Sequence, residues 1–279
     1  MPGVVIDELD LSELDLLREL DRRIRATDGV TLKLEWADLE QARTAASLVA
    51  REDGAIAGFL GLYAFGAEAD VELCGMVAPE HRRSGIATAL LTHGRALATE
   101  RGLTRHLLIV PRASASGVAF RTGLPSRLEH SEHTMRLDGL PDLRPPDPRI
   151  TVRAATAADR DALATILTAG FGPPPEGMLT PLHREDVETV IVCRAGEPVG
   201  TARLARHGPE GSIFGFAIDP AHRGRGIGRD VLGRFCATLL GGGCDRVGLQ
   251  VAVDNERALS LYTATGFRRV STEDYYELH

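Results

Sequence analysis

A chain of 279 residues is long enough for two domains of ordinary size, and its 43% hydrophobic and 25% charged residues are those of a soluble globular protein with packed cores. A net charge of −7 argues against a nucleic-acid partner and tilts weakly toward cationic substrates. No apolar run approaches the ~20 residues that span a bilayer, and no basic leader precedes the first acidic segment, so a cytoplasmic protein with no membrane partner is expected.

Residues 7–26 read as an acidic helix, with Leu9, Leu14, Leu17, Leu20 and Ile24 mostly on one face. A short helix is expected near 38–46, then a hairpin of 47–52 and 55–65 across Asp53-Gly54. A strand over 71–77 enters a Gly/Arg turn, and a helix follows from Ile86 to about Arg101, stopping at Gly102. A buried strand at 105–110, a short helix at 114–122 and a strand at 127–137 end the first half. Residues 138–149 carry Pro141, Pro145, Pro146 and Pro148 with no apolar periodicity. They suggest domains at 1–138 and 150–279 joined by a linker at 139–149.

The cycle then restarts. A strand at 150–153 precedes a helix at 156–169, where Thr156 and Asp159 have capping-box spacing. Residues 170–181, with Pro173-Pro174-Pro175, read as a loop. A hairpin of 187–194 and 198–206 crosses Ala195-Gly196-Glu197, and a strand at 213–218 enters Asp219-Pro220-Ala221-His222-Arg223-Gly224-Arg225-Gly226-Ile227-Gly228-Arg229. A helix at 228–240, a strand at 246–253, a helix at 256–265 and a strand at 267–278 finish the chain. Shifting the first half by 141 lays Pro79 on Pro220, His81 on His222, Arg82 on Arg223, Gly85 on Gly226 and Ile86 on Ile227; a shift of 142 lays Gly58 on Gly200. One domain type has been duplicated.

Both Gly/Arg turns suit phosphate: glycines let backbone N–H groups approach a ligand, and the following helix offers uncapped amides at its positive end. A Walker loop would need Lys-Ser/Thr after its last glycine, which neither turn has. A dinucleotide fingerprint starting at Gly224 would need glycine where Arg229 stands, and should follow the first strand of its domain. What remains is R-x-x-G-x-G/A, as Arg223…Gly226…Gly228 and Arg82…Gly85…Ala87.

That pattern resembles the pyrophosphate signature of the GNAT superfamily of acyl-CoA-dependent N-acyltransferases. The run Val251…Asn255…Ala258…Leu261-Tyr262…Gly266-Phe267 is similar to a second segment of the same family. The resemblance implies two tandem α/β (α+β) domains, each a mixed, mainly antiparallel sheet flanked by helices. It implies transfer of an acetyl or other short acyl group from acyl-CoA to an amine of a small-molecule acceptor, by direct attack in a ternary complex. The cofactor's pantetheine arm would lie along Phe216, Ala217 and Ile218, and its pyrophosphate on Arg223, Gly224, Arg225, Gly226, Ile227, Gly228 and Arg229. Asn255 would contact the cofactor, with capping of the helix at Glu256 as the alternative. Tyr262 would protonate the leaving thiolate.

The carboxylate that many relatives carry on the fourth strand is missing from Ser212–Phe216; Glu210 and Glu188 are the substitutes at hand, and water is the alternative. The first half keeps Glu72 but has Phe120 for the tyrosine and lacks the asparagine. It is expected to be degenerate, with a second cofactor site at Met76, Val77, Arg82, Arg83, Ser84, Gly85, Ile86, Ala87 and Thr88 that binds without catalysing. No metal is expected: His130 and His133 stand three apart on a strand and point to opposite faces, and Cys74, Cys193, Cys236 and Cys244 are scattered. Lys33 is the one lysine among 32 basic residues, a bias of GC-rich, bacterial genomes. A monomer or homodimer is expected. The competing reading is a CoA-binding regulatory or interaction protein in which neither half turns over.

Overall fold

A computed structural model describes residues 4–64, 69–141 and 145–279, so Phe65 of the expected hairpin and residues 142–144 of the expected linker lie outside it. In chain order the elements are β1 (Val4–Glu8), α1 (Leu14–Asp28), α2 (Trp36–Glu40), β2 (Ala46–Glu52), β3 (Ala55–Tyr63), β4 (Asp70–Val77), α3 (Ile86–Glu100), β5 (Arg105–Pro111), α4 (Ala115–Thr122) and β6 (Ser126–Asp138). There follow β7 (Ile150–Ala154), α5 (Arg160–Phe171), α6 (Glu176–Leu179), β8 (Val187–Arg194), β9 (Glu197–His207), β10 (Glu210–Ile218), α7 (Ile227–Gly241), β11 (Arg246–Ala252), α8 (Glu256–Thr265) and β12 (Arg268–Leu278). Among the described residues no helix is long and apolar enough to cross a membrane.

The chain forms two units, Met1–Ser131 with Ser271–His279, and Glu132–Val270. In the first, the strands run β1-β2-β3-β4-β5, antiparallel except for β4 beside β5, and Glu273–Glu277 of β12 pairs antiparallel with β5. One face packs Leu48, Leu62 and Leu73 against Ile86, Leu90 and Leu91 of α3. The other packs Val49, Phe59, Met76 and Tyr275 against Leu17, Leu20 and Ile24 of α1. The expected helix from residue 7 begins later. Val4–Glu8 pairs with β2, and Asp10 with Glu13 forms a capping box that opens a 3₁₀ turn before α1. Asp53 and Gly54 both have positive φ, the signature of the two-residue turn that their sequence demands.

In the second unit the strands run β7-β8-β9-β10-β11, again antiparallel except for β10 beside β11, and Glu132–Asp138 of β6 pairs antiparallel with β11. Val190, Leu204 and Ile213 pack against Val231, Leu232 and Phe235 of α7 on one face. Leu163 and Leu167 of α5 cover Ile191 and Cys193 on the other, with Met178 and Leu179 of α6 beside them. The units therefore divide at Ser131/Glu132 and Val270/Ser271, where the proline-rich stretch suggested 138 and 150. Residues 267–278 were expected to close the sheet of their own half; instead β12 completes the first unit's sheet, and the end of β6 completes the second's. Strand alternation fixes which face a residue takes and leaves the neighbouring strand open, so periodicity could not reveal this exchange.

The start of α5 shows how local sequence fixes an element. Thr156 N–H and hydroxyl donate to Asp159 (2.7 and 3.0 Å), and Arg153 closes on the same carboxylate through both terminal nitrogens (2.7 and 2.6 Å). The Arg153 guanidinium, then the Thr156 donors, hold the Asp159 carboxyl well below the usual carboxylate range. Arg153 is 45% exposed, so solvent screens part of the pair. Asp159→Asn should lower stability by about 1–2 kcal/mol at pH 7 through the lost cap. Because the folded pKa is depressed, the carboxylate's contribution is complete above ~4 and disappears as pH falls through the folded value. Thermal melts of wild type and variant should therefore draw together as pH falls below ~4; a gap that stays undiminished from pH 7 down to pH 2 would contradict the assignment.

Candidate active site

Strand β10 lies beside β11 only over Glu210–Ser212 and Arg246–Gly248, although both strands continue. Beyond Ser212 the two part, and the edge of β10 facing β11 carries backbone donors and acceptors with no ladder partner. Opposite β9, the register of β10 slips by one residue between Phe214 and Ala217. This bulge contains Gly215 at φ +59, and a Cβ there would stand 3.0 Å from the Met178 methyl of α6. The first unit parts in the same way, β4 pairing with β5 only over Asp70–Leu73, but its β3–β4 register is unbroken.

After β10, the Asp219 side chain accepts the Ala221 N–H (2.8 Å) and starts a 3₁₀ turn. Gly224 and Gly226 take positive φ, and α7 begins at Ile227 with no side chain capping it. The first-turn amides of a 15-residue helix are left for a ligand. Arg223 donates from Nε to the Ile218 carbonyl (2.7 Å), fixing the turn to the end of the strand. Arg229 donates to the Ala264 carbonyl (2.8 Å) at the negative end of α8. Arg225 is exposed and pairs with no described residue. Ile227 is core, so only its backbone is available, and Gly228 lets α7 close on Leu261 of α8. Phe216 is half-buried, edge-on to Phe235 at 5.8 Å, and Ala217 and Ile218 are buried.

The Asn255 side chain accepts the Ala258 N–H (3.1 Å) and caps α8, the alternative role the sequence left open. Tyr262, seven residues on, is 7% exposed, its ring 6.0 Å from that of Phe267. Its hydroxyl bonds to no described residue, and burial pushes its pKa up to about 12. The phenol is thus protonated at neutral pH. A phenol held protonated in this way can donate a hydrogen bond.

Neither carboxylate considered as a base is brought together with these groups. Glu210 lies within β10 and is held by Arg246, at 2.9 Å from Nε. Glu188 stands opposite Leu204, hence on the α7 side of the sheet, in a cavity of about 280 Å³ lined also by His183, Asp186 and Arg206. That cavity touches none of the residues expected to bind the cofactor.

The first unit repeats the turn's backbone. Arg83 and Gly85 have positive φ where Gly224 and Gly226 do, Arg82 donates from Nε to the Val77 carbonyl (3.2 Å), and α3 is likewise uncapped, with Ala87 and Thr88 in its first turn. Arg83 is exposed and pairs with no described residue, whereas the neighbouring side chains are engaged. Both terminal nitrogens of Arg82 bind Asp28 (2.9 and 2.8 Å), which also accepts from Ser116 (3.5 Å). Ser84 donates to the His81 carbonyl, and Met76 and Ile86 are core. Glu72 accepts from Lys33 (3.2 Å), whose ammonium also meets the Tyr275 hydroxyl at 2.7 Å. His130 stacks on Tyr275 at 4.2 Å.

Sequence reasoning missed Arg203, which pairs opposite Phe214 in β9–β10 and is 7% exposed. It donates to the carbonyls of Gly177 (2.8 Å), Met178 (3.2 Å) and Thr180 (3.0 Å), and lies 3.2 Å from the Met178 sulfur. Burial, then Arg184, lowers its pKa. An arginine inside a strand otherwise buried from Val199 to Leu204 was the available signal.

The family model described as "Acetyltransferase (GNAT) family" matches residues 13–119 and again 160–267. A mycothiol acetyltransferase of Kineococcus radiotolerans is 32% identical over 82% of this chain and 80% of its own length. A mycothiol acetyltransferase of Actinosynnema mirum is 28% identical over 98% of both. Among solved structures, a GCN5-related N-acetyltransferase from Sphaerobacter thermophilus superposes with a TM-score of 0.81 at 17% identity, over 99% of this chain and 96% of the other, a likeness of fold. With the motif, the parted strands and both halves matched, the chain belongs to the GNAT family, as a tandem-domain N-acetyltransferase that moves an acyl group from acyl-CoA to an amine.

Proposed function

We propose that the second unit carries the reaction, taking acetyl-CoA or another short acyl-CoA between β10 and β11. The observation that carries this reading is the conjunction of an unpaired β10 edge, an uncapped α7 and a buried Tyr262 ring whose hydroxyl bonds to no described residue. The pantetheine amides would pair with the backbone of Phe216, Ala217 and Ile218. The pyrophosphate would take the N–H groups from Gly224 to Arg229, with Arg225 adding a charge-assisted bond. Arg223, Arg229 and Asn255 would act by holding the turn and α8 in place.

Acyl-CoA supplies an activated thioester to which a neutral amine adds directly. Tyr262 gives the departing sulfur a hydrogen bond and then its proton, water takes the proton the amine loses, and the strongly basic phenolate recovers a proton from that water. The relatives named mycothiol acetyltransferase support a small-molecule acceptor, and the desacetylated form of mycothiol is the first amine to test. The proposed setting is the cytoplasm, as a monomer or homodimer; four free, buried cysteines accord with a reduced compartment.

Tyr262→Phe should lower kcat about 10²–10³-fold, the usual worth of a positioned acid, and leave acetyl-CoA affinity within about twofold. Unchanged turnover would remove the acid role. In the first unit the Asp28–Arg82 pair neutralises the turn's arginine, so calorimetry should find one tight class of acetyl-CoA site per chain. Asp28→Ala should strengthen or add a second class; two equal sites in the wild type would contradict this.

A further inference from the structure

Arg203 is a buried cation with no carboxylate partner among the described residues. One terminal nitrogen, Nη2, is shared among the carbonyls of Gly177, Met178 and Thr180, and the other, Nη1, meets the Met178 sulfur. Burying an unpaired charge is costly, and the arrangement persists only where those dipoles replace water. The recipient is α6, a single helical turn with no side-chain cap, which follows three consecutive prolines. A helix that short has no stability of its own, and its final carbonyls lack partners within the helix. Arg203 therefore fixes where α6 sits.

That position bears on the chemistry. Met178 of α6 covers Gly215 in the β10 bulge, close enough that a methyl group on Gly215 would crowd it. Phe214, opposite Arg203, remains 41% exposed beside it. The first unit, which has no bulge, handles the corresponding layer differently. Gly61 of β3 stands opposite Cys74 of β4, and the neutral Tyr63 phenol fills the space over Gly61 and donates to the Leu34 carbonyl at 2.6 Å. A neutral tie serves where the face is fully packed; the charged tie occurs where an aromatic ring is left open next to the bulge.

We infer that Arg203 is a positioning residue for the amine acceptor, holding α6 as one wall of the acceptor pocket against Phe214 and the β10 bulge. The inference rests on the proposed location of acyl transfer at that bulge. Its test measures KM for desacetylmycothiol, KM for acetyl-CoA, kcat, acceptor-independent thiol release and amide exchange over 176–182, in wild type, Arg203→Met and Arg203→Lys. Arg203→Met should raise the acceptor KM about tenfold or more, leave acetyl-CoA KM and acceptor-independent thiol release within about twofold, and speed exchange over 176–182. Arg203→Lys, with the same unit charge on a smaller head group with fewer donors, should recover part of the loss. If Arg203→Met does not fold, the lysine variant and its exchange rates decide by the same split. Equal changes in both KM values, or unchanged acceptor KM with faster exchange, would overturn the role of Arg203 while leaving the catalytic reading intact. A wild type that turns over without dependence on Tyr262 would instead overturn the reading beneath it.

Discussion

The second unit depends on β10 leaving β11 after three residues of pairing. A parallel ladder that continued would satisfy every backbone group and leave nothing for a ligand. By parting, it exposes donors and acceptors that water or an amide-bearing chain must satisfy. The bulge at Gly215 adds a second departure, on the β9 side, so the strand is re-aimed at the point where it becomes free. The turn at Arg223–Gly226 then delivers an uncapped helix to the same end of the strand. Each feature alone is ordinary; their coincidence at one strand end suits the long, anionic, amide-containing ligand proposed for it.

The duplicated unit shows which parts of that arrangement are architecture and which are chemistry. Parted parallel strands, positive φ at the same two turn positions, and an arginine Nε on the last strand carbonyl occur in both. Among the described residues, this bulge and the phenol at the Tyr262 position occur only in the second. In the first, the functional positions have been turned inward: Asp28 neutralises Arg82, Lys33 neutralises Glu72, and a burial-raised Cys74 thiol, with pKa about 12, is inert packing. The scaffold outlasts the site because backbone geometry is fixed by glycines and strand pairing, whereas catalytic side chains contribute little to stability.

Much of this was legible in the sequence. The hairpins, the Gly/Arg turns, the capping box at Thr156 and the duplication all rest on local rules, and local rules hold where one residue type has one cheap conformation. Tyr262 was legible as the candidate acid because it stands in a long spaced segment. What was hidden is non-local. Nothing in residues 127–137 or 267–278 says which strand will be their neighbour, so the exchange of final strands could not be read. Glu72, Arg82 and Glu210 look like available charges until the fold brings Lys33, Asp28 and Arg246 to them. The bulge was hidden because Phe214-Gly215-Phe216 gives no sign that one residue there is surplus to the ladder.

The central claim is that the gap between β10 and β11 is the acyl-CoA site and Tyr262 its acid. A crystal structure with bound acetyl-CoA tests it most directly. The account requires the pantetheine arm along Phe216–Ile218, the pyrophosphate on the amides of Gly224–Arg229, and the thioester sulfur within about 3–3.5 Å of the Tyr262 hydroxyl. Cofactor bound only at Arg82–Thr88, or a sulfur out of reach of Tyr262, would contradict it.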